Sequence, residues 1–363
     1  FSTVPSVNED AVEAASELTG VDFSAPVAWV GISDYLIAWD LPAFPGYEAY
    51  KERLYTHIDP RWDFLFVEPN DIDYRLLSWG GVPPDDRPFG DDAPCPLGCI
   101  PALDEPAVTP ANEGDWYPDD RIVFGVEIGG ETRAYPKNIM EVHEMVNDTL
   151  GGRDFALPYC TLCGSAQLFF TDEVEGFDRP ILRTSGLLSR SNKVMYDLVT
   201  ESVFDTFTGR AINGPLLEAG VILPQGSVIV STWADWKAEH PDTTIVARDG
   251  GIGRTYSLDP LGGRDDLGPI FPIGDRDLRL PVQSQVVGVI SVNGTPVAFP
   301  ADAAREQLGD GAPVELAGIT LKLDGSGMVA FENGEAVASH QSFWFAWSQF
   351  HPETKLWSAD GNG

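Results

Sequence analysis

A chain of 363 residues with 43% hydrophobic content, 37 Gly and 29 Pro is long enough for two or three packed units and too rich in turn residues for a helical bundle. Its net charge of −33 is dispersed along the chain, with six Lys against 17 Arg, a surface that repels nucleic acid and anionic lipid and suits a saline setting with cations as partners. No apolar run approaches the ~20 residues that cross a bilayer, and the start at Phe1 fits either a mature form after signal removal or a trimmed chain.

Residues 1–110 are dense in Pro, Asp and aromatics and read as an irregular N-terminal region. Two helices are expected in it: Asn8 to Leu18, with Asn8 as N-cap and Gly20 as the stop, and Tyr47 to His57, closed by Asp59-Pro60. The run Asp85-Asp86-Arg87-Pro88-Phe89-Gly90-Asp91-Asp92 reads as a solvated loop whose carboxylates are a candidate site for calcium, although its spacing matches no EF-hand. Cys95 and Cys99, with Pro96 and Gly98 between them, are most simply a disulfide.

From Arg121 onward short alternating runs are broken by Gly pairs, as in Ile122 to Ile128 before Gly129-Gly130, and these read as strands and hairpins. Lys137 to Thr149 carries Ile139, Met140, Val142, Met145 and Val146 at mixed three and four spacing, which predicts a helix on a sheet. Further on, Trp233, Trp236 and His240 open W-x2-W-x3-H-P-D-T, and Trp344, Trp347 and His351 open W-x2-W-x3-H-P-E-T. Gly125 through Pro136 likewise returns, with one insertion, as Gly288 through Pro300, and Gly164 through Phe170 as Gly325 through Phe331. The chain is an internal repeat. Two Trp and one His share one helical face in each copy, and the recurrence of His240 and His351 assigns them to scaffold, closing helix ends in a Trp-lined core. The expected fold is therefore a β-rich α+β protein: residues 1–110 irregular, residues 111–260 a first repeat unit, and residues 261–363 a second, shortened one.

Cys160-x-x-Cys163 belongs to the first copy alone, since Leu321 and Asp324 stand opposite it. The second copy reads there as a hairpin with Asp-Gly at its turn, so Cys160 and Cys163 are expected to straddle a β-turn rather than start a helix. Three readings stay open: a soft metal site for copper or zinc made by His143, Cys160 and Cys163, with Glu144 orienting the imidazole or adding a carboxylate; a local disulfide; and an active dithiol. No nucleophile elbow, phosphate loop or acid pair at hydrolase spacing is present.

The order A-Y-P-x-x-I-x-x-x-H-E-x-V-N-D-T-x-G-G, Y-C-x-L-C-G-S-A, S-G-L-L, M-Y-D, G-R-A-I-x-G and W-x3-H-P-D-T, from about Ile100 to Trp357, resembles the domain of unknown function 3179 family. That resemblance brings no established reaction. It implies a bacterial or archaeal protein, commonly exported, in which the first Cys pair and the His-Glu dipeptide are typical; Thr161 stands here where Pro is usual. The functional expectation is an exported, cell-surface or periplasmic protein with one metal or redox site. The alternative from a different class is a structural subunit of an extracellular assembly or filament, self-associating, in which both Cys pairs are disulfides.

Overall fold

The structure, a computed structural model, describes residues 5–23, 28–38, 42–95, 97–263 and 268–359. About 23% of the chain is helical and 32% is strand, so the β-rich α+β expectation holds. The strands form five small sheets, and the fold resembles a five-bladed β-propeller. The division into two related units is therefore corrected: the duplicated module accounts for part of the architecture, and other sheets draw on the rest of the chain.

The first sheet runs Leu77–Trp79, Leu182–Ser189, Asn192–Asp197, Val203–Asp205, all antiparallel. The second runs Gln225–Gly226, Leu168–Phe170, Arg153–Cys160, Met145–Leu150, Leu103–Asp104, with Ser165–Ala166 folded back on the end of Arg153–Cys160. The third runs Ile229–Thr232, Ile122–Ile128, Glu131–Pro136, Thr244–Val246, Val108–Pro110, and the fourth runs Ser339–Phe343, Gln285–Ile290, Pro296–Pro300, Lys355–Leu356. The fifth is a meander of Val314–Leu316, Ile319–Asp324, Gly327–Glu332 and Glu335–Val337.

The repeat is visible residue for residue in the third and fourth sheets. Gly125 faces Ala134 and Gly288 faces Ala298 across equivalent hairpins, while Ile245 and Leu356 add in parallel to the same two alanines. Helices Trp233–Glu239 and Trp344–Phe350 lie over these hairpins with all four Trp essentially buried. A Cβ on Gly125 would sit 2.3 Å from the Trp236 ring, and one on Gly288 would sit 2.1 Å from Trp347, so each indole rests directly on strand backbone. Trp236 Nε1 donates to Thr243 Oγ1 at 3.0 Å and Trp347 Nε1 to Thr354 Oγ1 at 2.9 Å, which explains why Thr closes both motifs. His240 and His351 are the C-caps, their backbone N–H groups bonded to Trp236 and Trp347 and their rings packed on those indoles. The scaffold reading of both histidines stands on these contacts, and His240 Nε2 also lies 2.6 Å from Asp324 Oδ1 in the other copy.

The N-terminal region is less irregular than its composition suggests. The expected helices are present as Pro5–Thr19 and Tyr47–Ile58, and Ala28–Ala38 is a third that was not foreseen. Asn8 lies inside the first helix rather than capping it, whereas Gly20, at φ +72°, does end it. Trp62, Phe64, Leu65, Tyr74 and Leu77 pack with Leu187, Val194, Tyr196 and Val203 into one core, so residues 60–80 belong to the first sheet.

The longest helix expected in the body is cut short. It spans Lys137–His143, Glu144 takes the left-handed conformation at φ +52°, and Met145–Leu150 continues as a strand. The reason lies downstream: Gly151-Gly152, both at positive φ, reverse the chain so that Met145–Leu150 pairs along its whole length with Arg153–Cys160. Strand pairing on both sides of Arg153–Cys160 outweighs a local helical period.

Candidate functional site

The strand Arg153–Cys160 ends at Cys160, which pairs with Ser165, and Thr161 to Gly164 form the turn between them. The Cys163 N–H bonds to the Cys160 carbonyl at 3.2 Å, so the two cysteines straddle a turn as expected, with no helix start beneath them. Gly164 sits at φ +57°, and a Cβ there would lie 2.9 Å from Gln285 Nε2 and 3.0 Å from Phe343, because the second copy packs against the turn. The Phe343 N–H also donates to the Cys163 carbonyl at 2.7 Å. The silent copy thus braces the sulfur-bearing loop of the first.

Both Cys160 and Cys163 are free thiols, 2% and 0% exposed. The Cys163 thiol points at the Ser191 carbonyl at 3.3 Å, and the Cys160 sulfur accepts the Lys193 backbone N–H at 3.4 Å. Burial raises the Cys160 thiol, but the bond from Cys163, the Lys193 N–H and the Lys193 charge outweigh burial and the opposing Glu144 charge; the net direction is down. For Cys163, burial and the bond to Cys160 act together and push it well up. The pair is therefore asymmetric, with proton affinity shifted down at Cys160 and up at Cys163.

Lys193, 5% exposed, lies on the strand Asn192–Asp197, and its ammonium meets Glu144 twice: the backbone carbonyl, and Oε2 at 3.2 Å. Burial lowers its affinity for a proton, which the Glu144 charge partly restores. Glu144 Oε1 accepts the Thr161 hydroxyl at 3.1 Å, and its carbonyl also takes the Tyr159 N–H at 2.9 Å. Glu144, the left-handed C-cap of the helix Lys137–His143, turns both its carbonyl and its carboxylate toward Lys193 and the Cys160 turn. A cavity of about 110 Å³ opens over this group, lined by Glu144, Cys160, Thr161 and Lys193 and walled by Val82, Leu187 and Phe271 among others.

His143 does not join the cysteines. It is 1% exposed, with Nδ1 2.7 Å from the Pro101 carbonyl and Nε2 2.7 Å from the Tyr256 hydroxyl, and burial lowers it to about 4. Both ring nitrogens are taken, so it is a neutral strut between the helix Lys137–His143 and the flanking loops. The His143, Cys160, Cys163 trio expected for copper or zinc is corrected on this geometry. Among the described residues, the set of three or more His, Cys, Asp or Glu ligand atoms lying within 4.8 Å of one another is Asp85, Cys95 and Cys99. There Cys95 and Cys99 are disulfide-bonded, with Cα atoms 5.4 Å apart, which removes the thiolates a soft metal needs.

Asp85 is corrected too: it is 0% exposed rather than on a solvated loop. Its carboxylate takes Arg87 Nε at 2.7 Å and the Ala102 N–H at 2.7 Å, while Arg183, equally buried, forks onto Asp104 at 2.9 and 2.7 Å. Buried charges paired this fully are structural. Asp91 and Asp92 are exposed, as expected.

Lys193 was not singled out from the sequence, and Thr161 was noted only as standing where Pro is usual. The available signal was that Lys193 is one of only six lysines and stands directly before the apolar run Val194-Met195-Tyr196.

The family model described as "Protein of unknown function (DUF3179)" matches residues 97–315, more than half of the chain, including Glu144, Cys160, Thr161, Cys163 and Lys193. The chain belongs to this family. The match stops short of the W-x2-W-x3-H-P-E-T segment at Trp344, so that segment is tied to the rest by the internal repeat. Comparison with curated proteins and with solved structures gives no match. No helix among the described residues is long and apolar enough to cross a membrane.

Proposed function

We propose that Cys160 and Cys163 are a redox-active dithiol, cycling between two thiols and a disulfide. The observation that carries this reading is the asymmetry of the pair: Cys160 lines the cavity with Lys193 and Glu144, whereas Cys163 lies behind it against the Ser191 carbonyl. An attacking sulfur needs an outer face and a stabilised thiolate, and a resolving sulfur needs proximity and a retained proton. A structural disulfide needs neither.

Two sulfurs on a turn remain suited to a soft metal such as copper, without His143. We place the chemistry in an extracellular or periplasmic setting, which the Cys95–Cys99 disulfide and the acidic surface support.

The test is an oxidation and reduction cycle on the full chain, read by thiol titration and intact mass. Two thiols should be lost together with two hydrogens and return with a dithiol reductant, and Cys163→Ser should trap a mixed species on Cys160. The reading fails if the pair never closes, or if natively purified protein holds one equivalent of copper or zinc that Cys160→Ser removes.

A further inference from the structure

Resting on the dithiol reading, we propose that the oxidant Cys160 meets is a small hydroperoxide and that Lys193 supplies the proton to its departing oxygen. Size disfavours the usual alternative. Thiol–disulfide exchange with another protein requires a third sulfur, with a polypeptide segment behind it, to reach Cys160 in line. Cys160 is 2% exposed at the floor of a cavity of about 110 Å³, below the roughly 150 Å³ known to hold a benzene molecule. The cleft is narrow and partly open, so it takes in a few heavy atoms whole, whereas a peptide or a glutathione-sized disulfide would have to approach with most of its bulk outside. The walls are predominantly apolar, including Val82, Ile100, Leu187, Leu188, Val194 and Phe271, which suits an uncharged electrophile.

The polar floor supplies what such an electrophile needs. The Cys160 thiolate attacks the nearer peroxide oxygen; an S–O bond forms, the O–O bond breaks, and the departing oxygen leaves with the electron pair. Lys193 is the only cationic side chain lining this cavity among the described residues, and its ammonium, held by the Glu144 carboxylate, gives that oxygen a proton. The products are water or an alcohol and a sulfenic acid on Cys160. Cys163 then attacks the Cys160 sulfur, the S–O bond breaks, and the hydroxide leaves as water with the Cys163 proton. The proton Cys160 released on ionising returns Lys193 to its charged form. One hydroperoxide and two thiols thus give one disulfide, one alcohol or water, and one water, and two equivalents of an external thiol small enough to enter the cleft restore the pair, leaving as their own disulfide.

The experiment follows closure of the Cys160–Cys163 bond in reduced full-length protein by quenched-flow mass spectrometry, with hydrogen peroxide, cumene hydroperoxide and an oxidised small protein as competing oxidants. Hydrogen peroxide should react about 10²-fold faster than free cysteine at equal thiolate, the contribution a positioned acid makes. Cumene hydroperoxide, bulkier than the benzene this cavity is too small to hold, should be about 10²-fold slower than hydrogen peroxide and so gain nothing over free cysteine, and Lys193→Met should lose most of the acceleration. The size series needs no variant, so it decides the matter even if Lys193→Met does not fold. A hydrogen peroxide rate equal to that of free cysteine, or faster closure by the protein disulfide, overturns the peroxide assignment and leaves the dithiol reading standing. Failure to close with any oxidant removes both.

Discussion

The Lys193 backbone N–H lies 3.4 Å from the Cys160 sulfur while the ammonium of the same residue is held by Glu144, so one residue supplies a hydrogen bond to the sulfur and a charge to the cavity above it. The sulfur is tuned by main chain and side chain from a single strand position.

The first consequence is an order of reactivity. Cys160 should alkylate with an apparent pKa below the ordinary thiol range, and Cys163 should stay unlabelled until the protein unfolds. Iodoacetamide labelling across pH, read by peptide mass, checks this; Cys163 labelling first would reverse the assigned roles.

Lys193→Met should destabilise the protein by about 3 kcal/mol, because it leaves the Glu144 carboxylate, nearly buried at 12% side-chain exposure, without its cation. Adding Glu144→Gln should recover more than half of that loss. Urea unfolding of the two variants decides it, and additive losses would mean that the pair is not coupled.

His143 gives a pH dependence of known sign. Its proton affinity is lowered to about 4 in the fold against 6.5 when exposed, so the unfolded chain binds the extra proton first. The stability this histidine contributes is full above pH 6.5 and is lost progressively as pH falls toward 4, by roughly 3 kcal/mol in total. His143→Gln should reduce the wild-type slope of stability between pH 6.5 and 4.5 by about one third, because His340 and His351, lowered by burial to about 3 and about 4, carry the rest. An unchanged slope would show that other groups carry it. The same variant should leave Cys160 labelling unaffected, since His143 bonds to Pro101 and Tyr256 and not to sulfur.

Gly125→Ala and Gly288→Ala should each cost about 2 kcal/mol, within the range for overpacking a core. The new methyl would meet Trp236 or Trp347, and neither indole can yield because both are buried and anchored through Nε1 to Thr243 or Thr354. Matching losses in the Tm of the two variants would confirm that the copies are equivalent in packing; a loss in only one would show that the modules have diverged.

Much of the scaffold was readable because it was written twice. The Trp, His, Pro and Thr landmarks are short-range features whose geometry follows from helix period and from proline, and their recurrence separated structure from chemistry before any contact was known. The disulfide at Cys95–Cys99 and the turn at Cys160–Cys163 were local enough to read as well. The helix extending past His143 was misread because Met145 and Val146 keep a helical spacing, and only pairing with a strand beyond Gly151-Gly152 shows which period wins.

By itself the sequence determined the β-rich class, the duplicated Trp module, the position of the two sulfurs on a turn and the membership suggested by the ordered motifs. Tertiary structure alone decided which polar groups share a site. His143 and Glu144 are neighbours in the chain, yet the left-handed backbone at Glu144 leaves the imidazole with Pro101 and Tyr256 and brings the carboxylate to Lys193, 49 residues away. Such partnerships depend on where strands distant in sequence are stacked, and no local propensity encodes that.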